Sequence, residues 1–422
     1  MSGRQQASFP LVTIVTPSYQ QAGYIRETIE SIWSQNYPNL EHLVIDGGST
    51  DGTVEILKHY ARKEPRFRYV SEKDRGQSHA LNKGLAMAKG SVIGWLNSDD
   101  TYHPQAIARA VKALVEHPEY GAVYGRAMYT DAGNRPLSPY PVDKKIGRAR
   151  LFDVCTICQP AVFFRKSVLE KTGPIDESLQ FCMDYELWMR IAKQAKLGFI
   201  DAMLANSRLH EEAKTVKQYF SIGLPECIRS SIKNFGAVSS HWVMQFLAHH
   251  LHEGPGWLIE RLKAMHVFGP TAGIRQSARY EDGWVPPRWR LELEGKPSRP
   301  VDFLLIQGEN NLHRLHGSVG KMHCTVTVDN RTVKKLELDK GRFNVKIPLP
   351  VSSAAGHIEI RSHASLNPKR LQLSDDNREL SLLVKRAIPL SKAEAALYEL
   401  LEHDPASIGE WLMQHPALQF RE

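Results

Sequence analysis

The side chains best equipped for chemistry stand at Asn97-Ser98-Asp99-Asp100, where the apolar run 92–96 breaks into an amide, a hydroxyl and two carboxylates. Val, Ile and Trp favour a strand. The polar tail then lies at that strand's C-terminal end, the edge where open α/β sheets bind ligands. Adjacent carboxylates repel each other, and a hard divalent cation offsets this because Mg2+ and Mn2+ take oxygen ligands. Three further polar clusters follow apolar runs: Pro17-Ser18-Tyr19-Gln20, Asp46 to Gly52, and Glu72 to Gln77. Gly47 and Gly48 permit close backbone approach. There is no GxGxxG fingerprint and no P-loop, so a metal is the natural way to neutralise a diphosphate in such a crevice. A last cluster, Met183-Asp184-Tyr185-Glu186-Leu187-Trp188, offers a base, which transfer to a hydroxyl requires. Asp184 and Glu186 are two apart and do not share a helix face. Leu187 and Trp188 anchor the helix, which leaves Asp184 at its first turn facing the cleft, where the helix dipole would keep it ionised. Glu186 is expected to face solvent or a salt bridge. Taken singly, each aspartate also fits a turn or a cap.

The elements that must position these clusters follow from periodicity. Residues 11–16, 40–45, 67–70 and 92–96 read as strands, and 24–33, 54–60 and 80–88 as helices. Strand and helix alternate four times in about a hundred residues, which indicates a parallel sheet covered on both faces. A helix starts at Pro104. Residues 121–129, 161–164 and 197–200 read as strands, and 136–150 as a basic loop over a site. Residues 216–268 are mostly helical, broken at 253–256; the amphipathic stretch 257–265 is expected to pack against a core and not on a membrane surface. A linker rich in Gly, Pro and Arg spans 280–300. Beyond it, short alternating runs with corners at DNR and DKGR predict a β-sandwich. A short helical tail follows at 390–401 and 407–413. The expected domains are 1–215, 216–285, 286–390 and 391–422.

The chain has 422 residues, 54 Lys and Arg against 46 Asp and Glu, and a formal net charge of +8. That length suggests two or three domains. The moderate basic balance suits a nucleotide, a phospholipid or an anionic polymer. No DNA-reading basic helix or zinc-finger pattern is present, so no nucleic-acid partner is expected. Five cysteines are too few for a disulfide scaffold. The pair in Cys155-Thr156-Ile157-Cys158 lacks a second metal half-site and has the flanks of a packed core. A reducing cytoplasm is the simplest compartment. No signal peptide is visible. No run reaches the ~18 apolar residues of a span, so membrane contact would be peripheral, at the inner face of the cell membrane.

Four segments, TPSYQ (16–20), VIDGGSTDGT (44–53), EKDRGQSHALNKG (72–84) and GWLNSDD (94–100), resemble family 2 glycosyltransferases in order and spacing. The likeness covers roughly residues 10–215. It implies an α/β GT-A fold, a Rossmann-like mixed sheet for nucleotide-diphospho-sugar transfer, followed here by a helical segment and a β-sandwich-like domain. It further implies inverting transfer from a nucleotide-sugar with Mn2+ or Mg2+, the donor UDP-linked in the first place and GDP- or dTDP-linked otherwise. Position by position, Pro17 and Tyr19 would lie against the nucleobase and Asp46 would accept hydrogen bonds from it. Asp74 would line the nucleoside pocket, and Lys83 would support the crevice. Asn97-Ser98-Asp99 matches Asp-x-Asp, with Asp99 the metal ligand, Asp100 helping directly or through water, and His210 reaching the metal or diphosphate. Asp184 matches the catalytic base. Arg208 and Lys214 could meet phosphate, and Gln159-Pro160 would shape the acceptor pocket.

This sequence departs from the family pattern twice. Gly47 replaces the second residue of Asp-Asp-Gly-Ser. Asn97 replaces the first Asp of Asp-x-Asp and brings a carbonyl oxygen but no charge. The expected acceptor is a glycan or lipid-linked glycan hydroxyl in cell-surface polysaccharide synthesis. The β module would hold glycan or serve structure or homo-oligomer contact. The alternative is a non-catalytic nucleotide-sugar or glycan-binding protein. A nucleotidyltransferase is disfavoured because TPSYQQAGY lacks a glycine-rich basic loop.

Overall fold

The computed structural model describes residues 9–295, 297, 299–312, 321–350, 357–414 and the backbone of 417–419. The chain falls into two compact units that divide after Trp242.

In the first unit, β1 (Val12–Ser18), β2 (Leu40–Asp46), β3 (Phe67–Ser71) and β4 (Val92–Trp95) alternate with α1 (Ile25–Trp33), α2 (Thr53–Lys63) and α3 (Gln77–Met87). Strands β3, β2, β1 and β4 lie side by side in parallel. Every residue of β1 and β2 is buried, as expected for strands with helices on both faces. Gly84 lets α3 lie close on β1: a Cβ there would stand 2.4 Å from Val15 Cγ1. After β4 come β5 (Thr101–Tyr102), α4 (Ala106–Glu116), β6 (Tyr120–Thr130), β7 (Pro136–Pro139), α5 (Arg148–Asp153), β8 (Val162–Arg165), α6 (Lys166–Thr172), α7 (Met183–Gln194) and β9 (Lys196–Arg208). They extend the sheet in the order β3-β2-β1-β4-β8-β6-β9-β5, with β7 on β6. The antiparallel insertion of β8 between β4 and β6 makes the sheet mixed. The basic segment 136–150 is therefore no simple loop: its first residues pair with β6 and its last start α5. Short α8 (Lys214–Lys217), then α9 (Leu224–Phe235) and β10 (Ala237–Ser239), close the unit.

α10 (Ser240–His250) crosses the division and leads to α11 (Pro255–Ala264). Leu258, Ile259 and Leu262 of α11 are fully buried, so its apolar stripe is packing surface. The second unit is then built on two antiparallel sheets. One takes β11 (Gly273–Ser277), β13 (Arg288–Glu294), β18 (His357–Ser362), β15 (Met322–Val328) and β16 (Arg331–Leu338). The other takes β12 (Trp284–Val285), β19 (Leu382–Leu390), β14 (Phe303–Asn310) and β17 (Gly341–Pro348). Their inner faces share one core that includes Trp289, Val326, Ile347 and Ile360. The segment 280–300, composed like a linker, contributes β12 and β13. Trp289 and Leu291 point inward while Arg288 and Arg290 face out, so arginines hide an ordinary strand alternation. Asp329 and Asn330 both have positive φ (47° and 64°), the backbone of a type I′ hairpin corner between β15 and β16. The DKGR corner joins strands of different sheets, β16 to β17. A capping box of Ser391 and Glu394 starts the helix Lys392–His403. Among the described residues no helix is long and apolar enough to cross a membrane.

Candidate active site

The C-terminal ends of β1 and β2 carry two loops clasped to each other. Gln20 N donates to Ser49 Oγ (2.7 Å), and Thr50 N donates to Gln20 Oε1 (2.8 Å). Asp46 organises the second loop from beneath. It is fully buried and accepts from Gly48 N, Ser49 N, Ser49 Oγ and Ser71 Oγ at 2.5–3.1 Å. The carboxylate matched to the nucleobase is thus already engaged by four protein donors. Pro17 is buried in β1 opposite Ile45. Tyr19, by contrast, is 62% exposed. A Cβ at Gly47 would lie 2.8 Å from Asp74 Oδ2 and 3.2 Å from Tyr19 Cδ2. These two side chains converge over Gly47, where the absence of a side chain lets them stand this close. An exposed ring beside a carboxylate is a surface on which a base can stack and hydrogen-bond. Lys83 on α3 forms an ion pair with Glu72 at the edge of this region.

The acidic end of β4 is held in a dense polar network. Asn97 Oδ1 accepts from Trp95 Nε1 (2.8 Å) and Gln77 Nε2 (2.9 Å), while its Nδ2 donates to Gln159 Oε1 (3.1 Å). Gln159 Nε2 donates in turn to Trp95 O (2.6 Å). Ser98 is buried. Asp100 is also buried; its Oδ1 accepts from Arg208 N (2.9 Å), and its carbonyl accepts from Thr28 Oγ1 (2.8 Å). Burial, reinforced by the Asp99 charge, holds the Asp100 carboxyl well above the ordinary range. Arg208 is spent on the same loop: it donates to Asp99 O and Ala132 O, pairs with Glu27 at 2.7 Å, and lies over the Tyr24 ring. It therefore fixes the loop and leaves no fork for phosphate.

Asp99 faces the other way. Its Oδ2 stands 3.1 Å from His210 Nε2, and the His210 ring packs on Tyr24 with centroids 4.7 Å apart. A carboxylate oxygen and an imidazole nitrogen suit Mn2+, and ions of this kind take few protein ligands plus substrate phosphates and water. The pair fits such an ion. Asn97, with its carbonyl oxygen doubly occupied, and Asp100, turned onto the Arg208 backbone, are not arranged with them. Elsewhere, Glu399, Glu402 and His403 bring ligand atoms together on the helix Lys392–His403, but Glu399 is ion-paired to Lys346.

Asp184 lies in the first turn of α7, where its Oδ1 accepts from Tyr185 N (2.7 Å). Burial pushes its carboxyl up to about 6, against the pull of that N–H. The dipole argument alone pointed to a fully ionised group; loss of water outweighs it. The charges of Asp184 and Asp100 both help raise the buried Cys158 thiol, so both carboxylates lie within electrostatic reach of it. Burial raises the Cys155 and Cys158 thiols far above their ordinary value, so this pair is packing and not a thiolate centre. Glu186 is 1% exposed and clamps Arg190 at 2.8 Å; it is a buried ion-pair residue.

Sequence reasoning missed Glu226 of α9. This buried carboxylate accepts from Gln180 N, Phe181 N and Cys182 N at 2.9–3.1 Å and so caps the entry to α7. Gln77 went equally unremarked as a bridge. Neither has a local signal, since their partners lie far along the chain.

The model of "Glycosyl transferase family 2" matches residues 13–173. An uncharacterized glycosyltransferase of Rickettsia typhi is 30% identical over 225 residues, 50% of this chain and 68% of that protein. The chondroitin synthase of Escherichia coli is 28% identical over 212 residues, 50% of this chain and 30% of that one. Among solved structures, S. aureus TarS 1-349 in complex with UDP-GlcNAc aligns with a TM-score of 0.47 and 18% identity, covering 60% of this chain and 80% of that one.

Proposed function

This chain belongs to glycosyl transferase family 2, and on that premise we propose that it moves a sugar from a nucleotide-sugar to a hydroxyl of a glycan or lipid-linked glycan, with inversion. The observation that carries this reading is Asp184: a carboxyl poised at about 6, in the first turn of α7, within electrostatic reach of the same thiol as Asp100 at the acidic end of β4. A base works best when its pKa lies near the operating pH. Inversion needs only this one base, on the face opposite the leaving group. The acceptor hydroxyl forms the new bond to the anomeric carbon and gives its proton to an Asp184 oxygen. The bond from anomeric carbon to diphosphate breaks, and its electron pair leaves with the nucleoside diphosphate. Tyr19 and Asp74 would receive the base and ribose. Asp99 and His210 would hold Mn2+ or Mg2+, which when bound supplies charge stabilisation to the diphosphate. Asn97, Gln77 and Gln159 would keep Asp99 on a fixed loop.

The chondroitin synthase among the relatives favours a polysaccharide as product. For the second unit, a structural role is favoured over glycan holding. Among its described residues no aromatic side chain is broadly exposed, and Trp289 is core. The test is a donor screen: purified protein with Mn2+, UDP-, GDP- and dTDP-sugars, with nucleotide release as readout. Release from one donor class is expected, and NMR of the product should show an inverted anomeric proton. Silence with every donor, or retained configuration, would overturn the proposal.

A further inference from the structure

One stripe of α9 runs along the segment that leads into α7. Glu226 is 3% exposed, and backbone N–H groups fill its carboxylate: Oε1 accepts from Gln180 N (2.9 Å), and Oε2 accepts from Phe181 N (2.9 Å) and Cys182 N (3.1 Å). Gly223, the residue before α9, packs on the same segment, for a Cβ there would lie 2.7 Å from Phe181 Cδ1. Ser230 Oγ stands 3.5 Å from Cys182 Sγ, and Asn234 Nδ2 donates to Glu186 Oε1 (3.4 Å). Positions 223, 226, 230 and 234 recur at three and four residues, the spacing of one helix face.

Cys182 is the N-cap residue of α7, and its own side chain makes no cap hydrogen bond. The first N–H groups of a helix lack intrahelical partners, so an entry without outside support frays. Asp184 sits in that first turn, and its Oδ1 accepts only from the adjacent Tyr185 N among the hydrogen bonds described. Nothing in its own contacts therefore anchors it to another element. The anchor is the backbone just before it, which the Glu226 carboxylate grips with three charge-assisted hydrogen bonds.

We propose that Glu226 is a positioning residue for the reaction: by fixing the backbone at 180–182 it holds the first turn of α7, and with it the Asp184 carboxyl, in the place where the acceptor hydroxyl is met. The proposal rests on the reading of Asp184 as the base. Glu226 touches no substrate and moves no proton. Its effect passes through Gln180, Phe181 and Cys182 to a side chain two residues further on. The groups that feel the Asp184 charge, Tyr140, Cys155, Cys158 and Cys227, are themselves raised and stay neutral near pH 6. The Asp184 midpoint, about 6 through burial, thus reports how well its turn is closed to water.

The test titrates the Asp184 carboxyl by carbon NMR, its signal identified as the one that Asp184→Asn loses. In Glu226→Gln the amide turns an NH2 towards a backbone N–H, the entry loosens, and water reaches Asp184; its midpoint should fall by about one unit. In the same variant kcat should drop about 10- to 100-fold, the cost of a misplaced group. Donor affinity by calorimetry should stay within about 3-fold, because the nucleotide surface stands on β1 and β2. Gly223→Ala presses on the segment from the Phe181 side, keeps Glu226, and should move midpoint and kcat in the same direction; it carries the test if the Gln variant does not fold. Ile228→Val trims a buried side chain off this stripe and should lower stability with midpoint and kcat unchanged. Wild-type protein silent with every donor would overturn the reading of Asp184 as base. An unmoved midpoint in the folded variants, with wild type active, would overturn the role of Glu226 alone.

Discussion

Asp184→Asn should produce an enzyme that is slower and more stable at once. The folded carboxyl titrates at about 6 against an ordinary 3.8. A folded pKa above the unfolded one means that the native state binds more protons between those values. The acid form's contribution to stability is therefore complete below about pH 4 and is lost as pH rises through about 6. Roughly two pKa units correspond to ~3 kcal/mol, a ceiling that the partial exposure of Asp184 reduces to about 2 kcal/mol. An Asn keeps an oxygen for Tyr185 N and carries no charge, so it escapes this loss. Denaturant unfolding should show Asp184→Asn ahead of wild type by about 2 kcal/mol near pH 7.5, with the gap closing near pH 4. The same variant should lose about 10²–10⁴ in kcat, the usual worth of a general base, with donor KM little changed. In wild type, kcat/KM should fall below about pH 6, where the base takes up its proton. A variant that is less stable at pH 7.5 would mean that the carboxylate is held ionised as a helix cap. A variant with near wild-type turnover would remove Asp184 from the chemistry.

Glu186→Gln breaks the buried pair with Arg190 and should cost about 3–5 kcal/mol of stability, while activity per folded molecule stays near normal; a stable but inactive variant would transfer the role of base to Glu186. Asp99→Ala should abolish turnover and remove the gain in nucleotide affinity that Mn2+ confers; unchanged metal-dependent affinity by calorimetry would refute its ligand role. Asn97→Asp should not strengthen Mn2+ binding, because the new carboxylate loses the donor to Gln159 and enters a network already holding Asp100; a tighter metal titration would show that Asn97 does reach the ion.

The parts of this protein legible in its sequence are those fixed by neighbours a few residues away. Apolar runs that stop at Ile45 and Leu96, just before Asp46 and Asn97, mark β2 and β4, because strands covered on both faces are largely apolar. The place of Asp184 in the first turn of α7 is legible for the same reason: Leu187 and Trp188 set the register of that helix. The strand β13 was hidden by arginines on its outward face. The supporting residues were hidden by distance. Gln180 meets Glu226 from 46 positions away, and Asn97 meets Gln159 from 62. Such pairs leave no periodic trace.

These distant partners also explain the departures from the family pattern. A Cβ at position 47 would press on Asp74 and Tyr19, so glycine lets these two side chains stand where they do. At position 97 the donor to Gln159 and the acceptor for Trp95 and Gln77 must belong to one side chain. An amide meets both demands and a carboxylate meets only one. The substitution of Asn for Asp therefore exchanges a charge for a rigid loop, and leaves Asp99 as the carboxylate directed at His210. A site built this way has less negative charge of its own to hold a metal.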